Sequence, residues 1–416
     1  MVEATETVIV GGGQAGLSLS YHLGRLGRPH VILERGRVGE SWRSERWDSL
    51  MFQFPNWAIR LAGHGYRSDD PNGFSHKDVV VAFLEEYAKR IEAPVRSGVR
   101  VKAVRHEAGG QGFLVETDST VFAAENVVAA TGSFHDPLIP PIAAGLPNHV
   151  MQLHSSLYKN PRQLPEGAVL VVGCGASGVQ IAQELNESGR KVYLSVGRYR
   201  RTPRTYRGRD LYWWFDVLNV WDRTPEQYPD LKRGPLFIVS GVDGGRDLDL
   251  RNFPDEGITV VGRTTGFANG CFSLSDDLEQ VVAQGEAWFE DLRIQMEEYA
   301  RAHRLDLPER ADAQKSPRRL PVLSELDIAA TGITSVVWAS GFRYNFDWVK
   351  LPVFGASGEP LQKRGVSPCA GFYFLGLRRM FNLRSNLFEG VGEDAAHLAD
   401  QIDVRARTSR SLASGA

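Results

Sequence analysis

Short apolar runs separated by glycine-rich turns set the pattern of this chain. Thr7-Val8-Ile9-Val10 turns over Gly11-Gly12-Gly13-Gln14-Ala15-Gly16 into a helical period, and His30 to Leu33 forms a second apolar strand that ends at Glu34. Strand, glycine turn, helix and strand in that order predict a βαβ unit. Ser75-His76-Lys77-Asp78 has capping-box spacing and predicts an amphipathic helix to about Ile91, with Val79, Val80, Phe83, Leu84 and Tyr87 on one face. Alternation returns from Val99 to Ala124, with Val101, Val104 and Phe113-Leu114-Val115 around a hairpin loop at Glu107 to Gly112. A buried strand, Asn126 to Ala130, then delivers Thr131-Gly132 before the stiff Pro140-Pro141 connection.

The opening pattern is then repeated. Ala168-Val169-Leu170-Val171-Val172 leads through Gly173-Cys174-Gly175-Ala176-Ser177-Gly178 into an apolar-faced helix, and Lys191-Val192-Tyr193-Leu194-Ser195 matches the second strand of the first unit. Ile333 to Ala339 reads as another buried strand, and Trp338-Ala339-Ser340-Gly341-Phe342 echoes Ala129-Ala130-Thr131-Gly132-Ser133. Gly371 to Leu377 supplies a further strand, and Ser385 to Ala396 passes from loop into a closing helix. The predicted class is α/β with two Rossmann-like dinucleotide domains, the second inserted into the first. Expected boundaries are 1–158 and 326–406 for the first domain and 159–325 for the second, with an aromatic-rich insert at about 203–272 and a disordered tail at 407–416. A long helix is expected from the Ser275-Asp276-Asp277 cap to about Arg304, interrupted at Gly285, followed by a polar connector over 309–319.

Composition narrows the classes. At 416 residues the chain is long enough for two cores, and 42% hydrophobic residues with a net charge of −2 describe a globular protein with no general attraction to nucleic acid. Cys174, Cys271 and Cys369 stand singly and make no disulfide framework, metal knuckle or Cys-x-x-Cys pair. With the first strand so near the start there is no room for a secretory signal, and no apolar run reaches membrane-spanning length, so a cytoplasmic location is expected.

The glycine turns carry the chemistry. Gly11 allows the tight turn, Gly13 lets a pyrophosphate approach the backbone, Gly16 lets helix and strand pack, and the N–H groups at the helix start face the anion. Glu34 stands where a carboxylate meets a ribose 2′-hydroxyl. Laid on this unit, the second repeat offers Ser195 in place of that carboxylate, followed by Arg198, Arg200 and Arg201. A 2′-phosphate is repelled by a carboxylate and bound by guanidinium groups, so the first site suits FAD and the second NADPH. The segment Gly39 to Asp48 has the look of a contact loop, with Trp42 and either Arg43 or Arg46 suited to a flat ring system near phosphate. The aromatic stretch Leu211-Tyr212-Trp213-Trp214-Phe215 with Trp221 reads as core packing before substrate wall.

Across almost its whole length the chain resembles the flavin-containing monooxygenases, including the plant auxin-forming YUCCA branch, and more distantly the Baeyer–Villiger monooxygenases. The resemblance lies in the two glycine motifs, Gly39 with Trp42, the Ala130-Thr131-Gly132 and Ala339-Ser340-Gly341 links, and Gly390-Val391-Gly392 before Asp394-Ala395. The family fingerprint between the motifs is kept in its second half, His154-Ser155-Ser156-Leu157-Tyr158-Lys159, while Asn148 and Val150 replace its phenylalanine and glycine. The resemblance implies FAD held by Gly11, Gly13, Gln14, Gly16, Glu34, Arg35, Trp42, Arg43, Val101, Thr131, Gly132, Asn386 and Leu387. It implies NADPH held by Gly173, Gly175, Ser177, Gly178, Ser195 and Arg198. The implied reaction is oxygen transfer from a flavin C4a-hydroperoxide to a small organic substrate, by N- or S-oxidation, Baeyer–Villiger insertion or oxidative decarboxylation, with Gln53 and Asn56 beside the flavin as catalytic hydrogen-bond donors. The expected partners are that substrate and O₂, with neither nucleic acid nor membrane, and a homodimer is left open. The alternative is an NADPH oxidase or electron-transfer flavoprotein with no organic substrate.

Overall fold

The computed structural model describes residues 2–109, 112–227, 238–309 and 319–414. Two sheets organise it. In the first, Val2–Val10 lies between His30–Glu34 and Val121–Ala129, all parallel, with Val95–Ser97 and Phe372–Phe374 extending the parallel part and Phe113–Thr117 and Val101–His106 adding an antiparallel hairpin. In the second, Met151–His154, Ile333–Trp338, Ala168–Val172, Val192–Val196 and Ile258–Gly262 form an all-parallel sheet in that order. Since the first sheet is resumed only at Phe372, the second unit is inserted into the first. Strands such as Ala168–Val172 are buried along their whole length, as parallel strands covered on both faces must be.

Several boundaries differ from the sequence reading. Met151–His154 and Ile333–Trp338 pair within the second sheet, so that unit reaches outside 159–325 on both sides. Strand pairing between segments so far apart in the chain leaves no local signal. The amphipathic helix runs over Lys77–Arg90 and is capped by His76, whose Nδ1 accepts the Asp78 N–H, in place of Ser75. Ser75 instead donates to Asn56 Oδ1 at 2.6 Å. The closing helix spans Phe388–Ser414, so the segment expected as a disordered tail is helical to Ser414. Good helix formers and the Asp403–Arg407 pair one turn apart, 2.8 Å, account for its extension. The connector expected over 309–319 lies almost wholly outside the described residues, as does part of the insert. No helix among the described residues is long and apolar enough to cross a membrane.

The aromatic insert is core, but the core of the other unit. Tyr206, Leu211, Tyr212, Trp214, Phe215 and Trp221 pack with Val8, Phe83 and Phe374 of the first unit. The long helix Leu278–Ala302 ties the two together: Leu278 and Val282 lie in the second unit's core, and Phe289, Leu292, Met296 and Ala300 in the first. It is unbroken at Gly285. A Cβ there would stand 2.8 Å from the Tyr199 carbonyl oxygen, so the glycine marks a close crossing and not an interruption.

This crossing makes a direct prediction. Alanine gains about 1 kcal/mol of helix propensity over glycine, but overpacking costs about 1–3 kcal/mol and here meets rigid backbone. Gly285→Ala should therefore lower the thermal and denaturant midpoints, and a rise in either would show that the helix can shift away from Tyr199.

Candidate functional site

Each repeat builds the same cradle. The Gly11 N–H donates to Leu33 O at 2.9 Å and the Ala130 N–H to Val10 O at 2.9 Å; the Gly173 N–H donates to Ser195 O at 3.0 Å and the Ala339 N–H to Val172 O at 2.8 Å. In both units the strand end, the glycine turn and the link after the neighbouring strand are locked together. A Cβ on Gly16 would collide with the Gly11 carbonyl, and one on Gly178 with the Gly173 carbonyl. Helices therefore start directly over the strand ends, at Gln14 and at Ala176, and neither is capped by a side chain. Their first N–H groups are left for a ligand.

In the first unit this helix start opens into a cleft of about 390 Å³. Gly13 stands at its floor, and a Cβ added there would meet nothing within 4 Å. Glu34 lies beside it, held by the N–H groups of Gly12, 2.7 Å to Oε2, and Gly36, 2.8 Å to Oε1. Gly11, Gln14, Arg35 and Val101 also line the cleft, as do Thr131, Gly132 and Asn386. Gln14 Nε2 donates to Asn386 O at 3.1 Å and closes one end. Trp42 forms part of a wall, with Phe52 and Phe388 5.9 and 6.1 Å from its ring. An uncapped helix start, a fixed carboxylate at the strand end and a rigid indole fit a dinucleotide carrying a ring system.

Other expected residues stand elsewhere. Gly16 lies under the helix, and Arg43 forms an ion pair with Glu85 on the neighbouring helix. It is Arg46 that lines the cleft, its guanidinium 5.5 Å from the Trp42 ring; burial depresses its pKa. Leu387 is half-buried, packed against the first core. Asn56 is a structural residue: its amide donates to Ser68 Oγ and Asp70 O and accepts from Ser75. The Gln53 carbonyl accepts from Arg204 at 2.7 Å, and its side chain is half-buried. Sequence reasoning passed over Ser133, Phe134, His135 and Gly376, which also line the cleft. Burial holds the His135 imidazole below its usual pKa, and its Nδ1 accepts the Asn345 N–H at 2.9 Å, consistent with a neutral ring.

The second cradle corrects the alignment of the repeats by one residue. Val10 pairs with Leu33 in the first unit and Val172 with Ser195 in the second, so Ser195 matches Leu33 and the residue matching Glu34 is Val196. A one-residue shift moves a strand side chain to the opposite face. The Ser195 hydroxyl is buried, donating to Gly262 O at 3.1 Å and accepting from the Thr264 N–H at 3.0 Å. The second unit thus lacks a carboxylate at that place, because Val196 is apolar. Arg198, exposed, follows two residues later. Much of the arginine run beyond it has structural partners: Arg201 with Asp249, Arg204 with Asp210, Arg207 with Glu297, while Arg200 and Arg209 lie over Trp288 and Trp213.

The segment His154 to Lys159 is anchored in the second unit and reaches the first through Lys159. The His154 ring is 2.9 Å from Gly341 O, Tyr158 donates to Glu184 at 2.8 Å, and Lys159 donates to Ser44 O and, at 3.1 Å, to Arg46 O. It thereby holds the loop that carries Trp42 and Arg46.

Comparison with known proteins agrees with this architecture. Residues 8–209 match the pyridine nucleotide-disulphide oxidoreductase family model, although Cys174, Cys271 and Cys369 are all unpaired. A CzcO-like oxidoreductase of Geobacillus kaustophilus is 33% identical over 97% of this chain and 99% of its own. Indole-3-pyruvate monooxygenase YUCCA1 of Oryza sativa is 31% identical over 45% of this chain and 47% of its own. A flavin-containing monooxygenase from Stenotrophomonas maltophilia shares the fold, with a TM-score of 0.63 at 21% identity over 97% of this chain and 99% of that one. With two cradles in place and relatives matched end to end, the chain belongs to the CzcO-like oxidoreductases.

Proposed function

We propose that the protein is a FAD-dependent, NADPH-using monooxygenase that transfers one oxygen atom of O₂ to a small organic substrate through the flavin C4a-hydroperoxide. The observation that carries this reading is the duplicated cradle with a carboxylate at the strand end of the first unit and an apolar residue at the matching place in the second. FAD, when bound, supplies hydride acceptance and oxygen activation. The chain supplies binding, orientation and exclusion of water. The helix start at Gly13 receives the diphosphate, and Glu34, fixed by Gly12 and Gly36, accepts from a ribose hydroxyl with its remaining lone pairs. Trp42 and Arg46 bound the ring system. The second cradle receives NADPH, and with Ser195 engaged by backbone groups the 2′-phosphate falls to Arg198.

Water exclusion is built from aromatic contacts. Phe54, Trp57 and Trp221 pack around Tyr212 with ring centroids 4.7, 5.1 and 4.6 Å away, respectively, and Tyr212 donates to Glu389 at 2.6 Å. Such a dry wall suits a reactive oxygen donor. Gln53 begins this wall and is the residue assigned a hydrogen bond to the transferred oxygen; Asn56 supports the loop. The substrate is assigned as a molecule with a nucleophilic nitrogen or sulfur, a carbonyl or a 2-oxo acid group; the similarity to an indole-3-pyruvate monooxygenase over nearly half the chain supports that class.

Three measurements test this reading. Stopped-flow reduction by NADPH followed by mixing with O₂ should give a transient absorbing in the C4a-hydroperoxide band; direct return to oxidised flavin, with one hydrogen peroxide per NADPH whatever substrate is present, would identify an oxidase. Arg198→Ala should raise KM for NADPH about tenfold, the value of one charge-assisted contact, and leave NADH use unchanged; equal losses for both would remove the 2′-phosphate role. Gly13→Glu places a carboxylate at the helix start, where it opposes a diphosphate. The purified variant should carry little flavin, while the flavin-free protein melts within about 0.5 kcal/mol of wild type, as for a substitution away from packed contacts. Full flavin content would place the diphosphate elsewhere.

A further inference from the structure

Two guanidinium groups meet over one ring at the edge of the cleft, and a third follows directly in the chain. Arg46 and Arg378 both lie over the Phe134 ring, 5.0 and 4.7 Å from its centroid. Arg379 is the next residue, in a left-handed backbone conformation at φ 52°, and its Nε is buried without a hydrogen-bond partner. The second unit adds a fourth cation: Arg200, stacked on Trp288, is close enough to Arg379 for their charges to repel. Burial pushes Arg46 and Arg379 below their ordinary pKa.

The chain pairs its buried arginines with carboxylates, whereas Arg46 and Arg379 are half-buried and Arg378 exposed. Arg28 is paired with Glu6 and Asp403, Arg204 with Asp210, Arg251 with Glu279 and Glu286, and Arg384 with Asp216 and Asp222. Among the described residues, Arg46, Arg378 and Arg379 form no ion pair. A cation over an aromatic face gains only a modest attraction at an exposed site, and a second cation on the same ring adds repulsion that this gain must overcome. A non-glycine residue held at positive φ beside them adds backbone strain of a kind that persists at ligand sites. The cluster is also continuous with the cleft, because Arg46 and Phe134 line it, and it sits at the seam between units, where Phe134 meets Phe342 with ring centroids 5.0 Å apart.

We propose that Arg46, Arg378 and Arg379 bind an oxyanion at the seam between the two units, either the carboxylate of the organic substrate or a phosphate of the incoming nicotinamide dinucleotide. Planar guanidinium groups take carboxylate and phosphate oxygens through paired N–H donors. Which molecule carries the oxyanion rests on the monooxygenase reading; anion binding itself does not.

The test is calorimetric titration of the purified, FAD-loaded full chain with sodium pyrophosphate, with phenylacetate, and with neutral phenylacetamide. Arg378→Gln, Arg379→Gln and the double variant are titrated alongside, after their flavin content and melting temperature are checked; Arg378 is exposed, so its loss leaves packing intact. Wild type should bind at least one anion with an affinity that falls as salt rises, and show no comparable affinity for the amide. Each single substitution should weaken anion binding about tenfold, the value of one charge-assisted contact. Phenylacetate binding that survives saturating NADP⁺ assigns the site to a substrate carboxylate, whereas anion binding abolished by NADP⁺ assigns it to the dinucleotide. If wild type binds neither anion, or the double variant binds them as tightly as wild type, the proposal is overturned. Failure of the monooxygenase reading would appear separately, as wild-type protein that does not oxidise NADPH, and would not alter the titration.

Discussion

The architecture depends on one steric constraint, imposed twice: the carbonyl of the first motif glycine lies where a side chain on the last would have to be. Only with glycine at 16 and at 178 can each helix begin directly over its strand. That placement sets the uncapped helix start at the carboxyl edge of a parallel sheet, where ligands of open α/β sheets bind. It also brings Gly12 within reach of Glu34, so the acid is oriented by the turn that forms the anion site. Ligand site and fold are here the same set of backbone contacts.

The two units are then stitched by a lysine that lies outside both cradles. Within the second unit His154 and Tyr158 hold their segment to Gly341 and Glu184, and from it Lys159 reaches across to the carbonyls of Ser44 and Arg46 in the first. Because Lys159 grips main-chain oxygens, it fixes the course of the Trp42 loop without demanding particular side chains there. The insert contributes from the other side, as Tyr212 and Trp221 join the core of the first unit. A cleft wall made by one unit is thus braced by the other.

Much of this was legible in the sequence, for physical reasons that differ by element. Buried parallel strands announce themselves as unbroken apolar runs, and glycines at fixed spacing in a strand-to-helix turn mark where backbone must approach backbone; the two units and most of the first cleft followed from these. What escaped depended on partners far along the chain. The pairing of Met151–His154 with Ile333–Trp338 has no local signature, nor does the strand pairing that sets Val196, and not Ser195, opposite the place of Glu34. The choice between Arg43 and Arg46 turned on a five-residue helix, Glu40–Ser44, which carries Arg43 toward Glu85. Asn56 looked available because Ser68, Asp70 and Ser75, which take both of its amide donors and bond its carbonyl, come later in the chain.

The helix Leu278–Ala302 has a mechanical consequence. Its first turns are embedded in one core and its last turns in the other, so it acts as a strut spanning the joint. With 25 residues it is about 38 Å long at 1.5 Å per residue. Swinging one unit about the link segments would drag one end of this strut out of its packing, so such a swing is opposed from both cores. Gly285, set against the Tyr199 carbonyl, fixes the seat of the strut on the second unit.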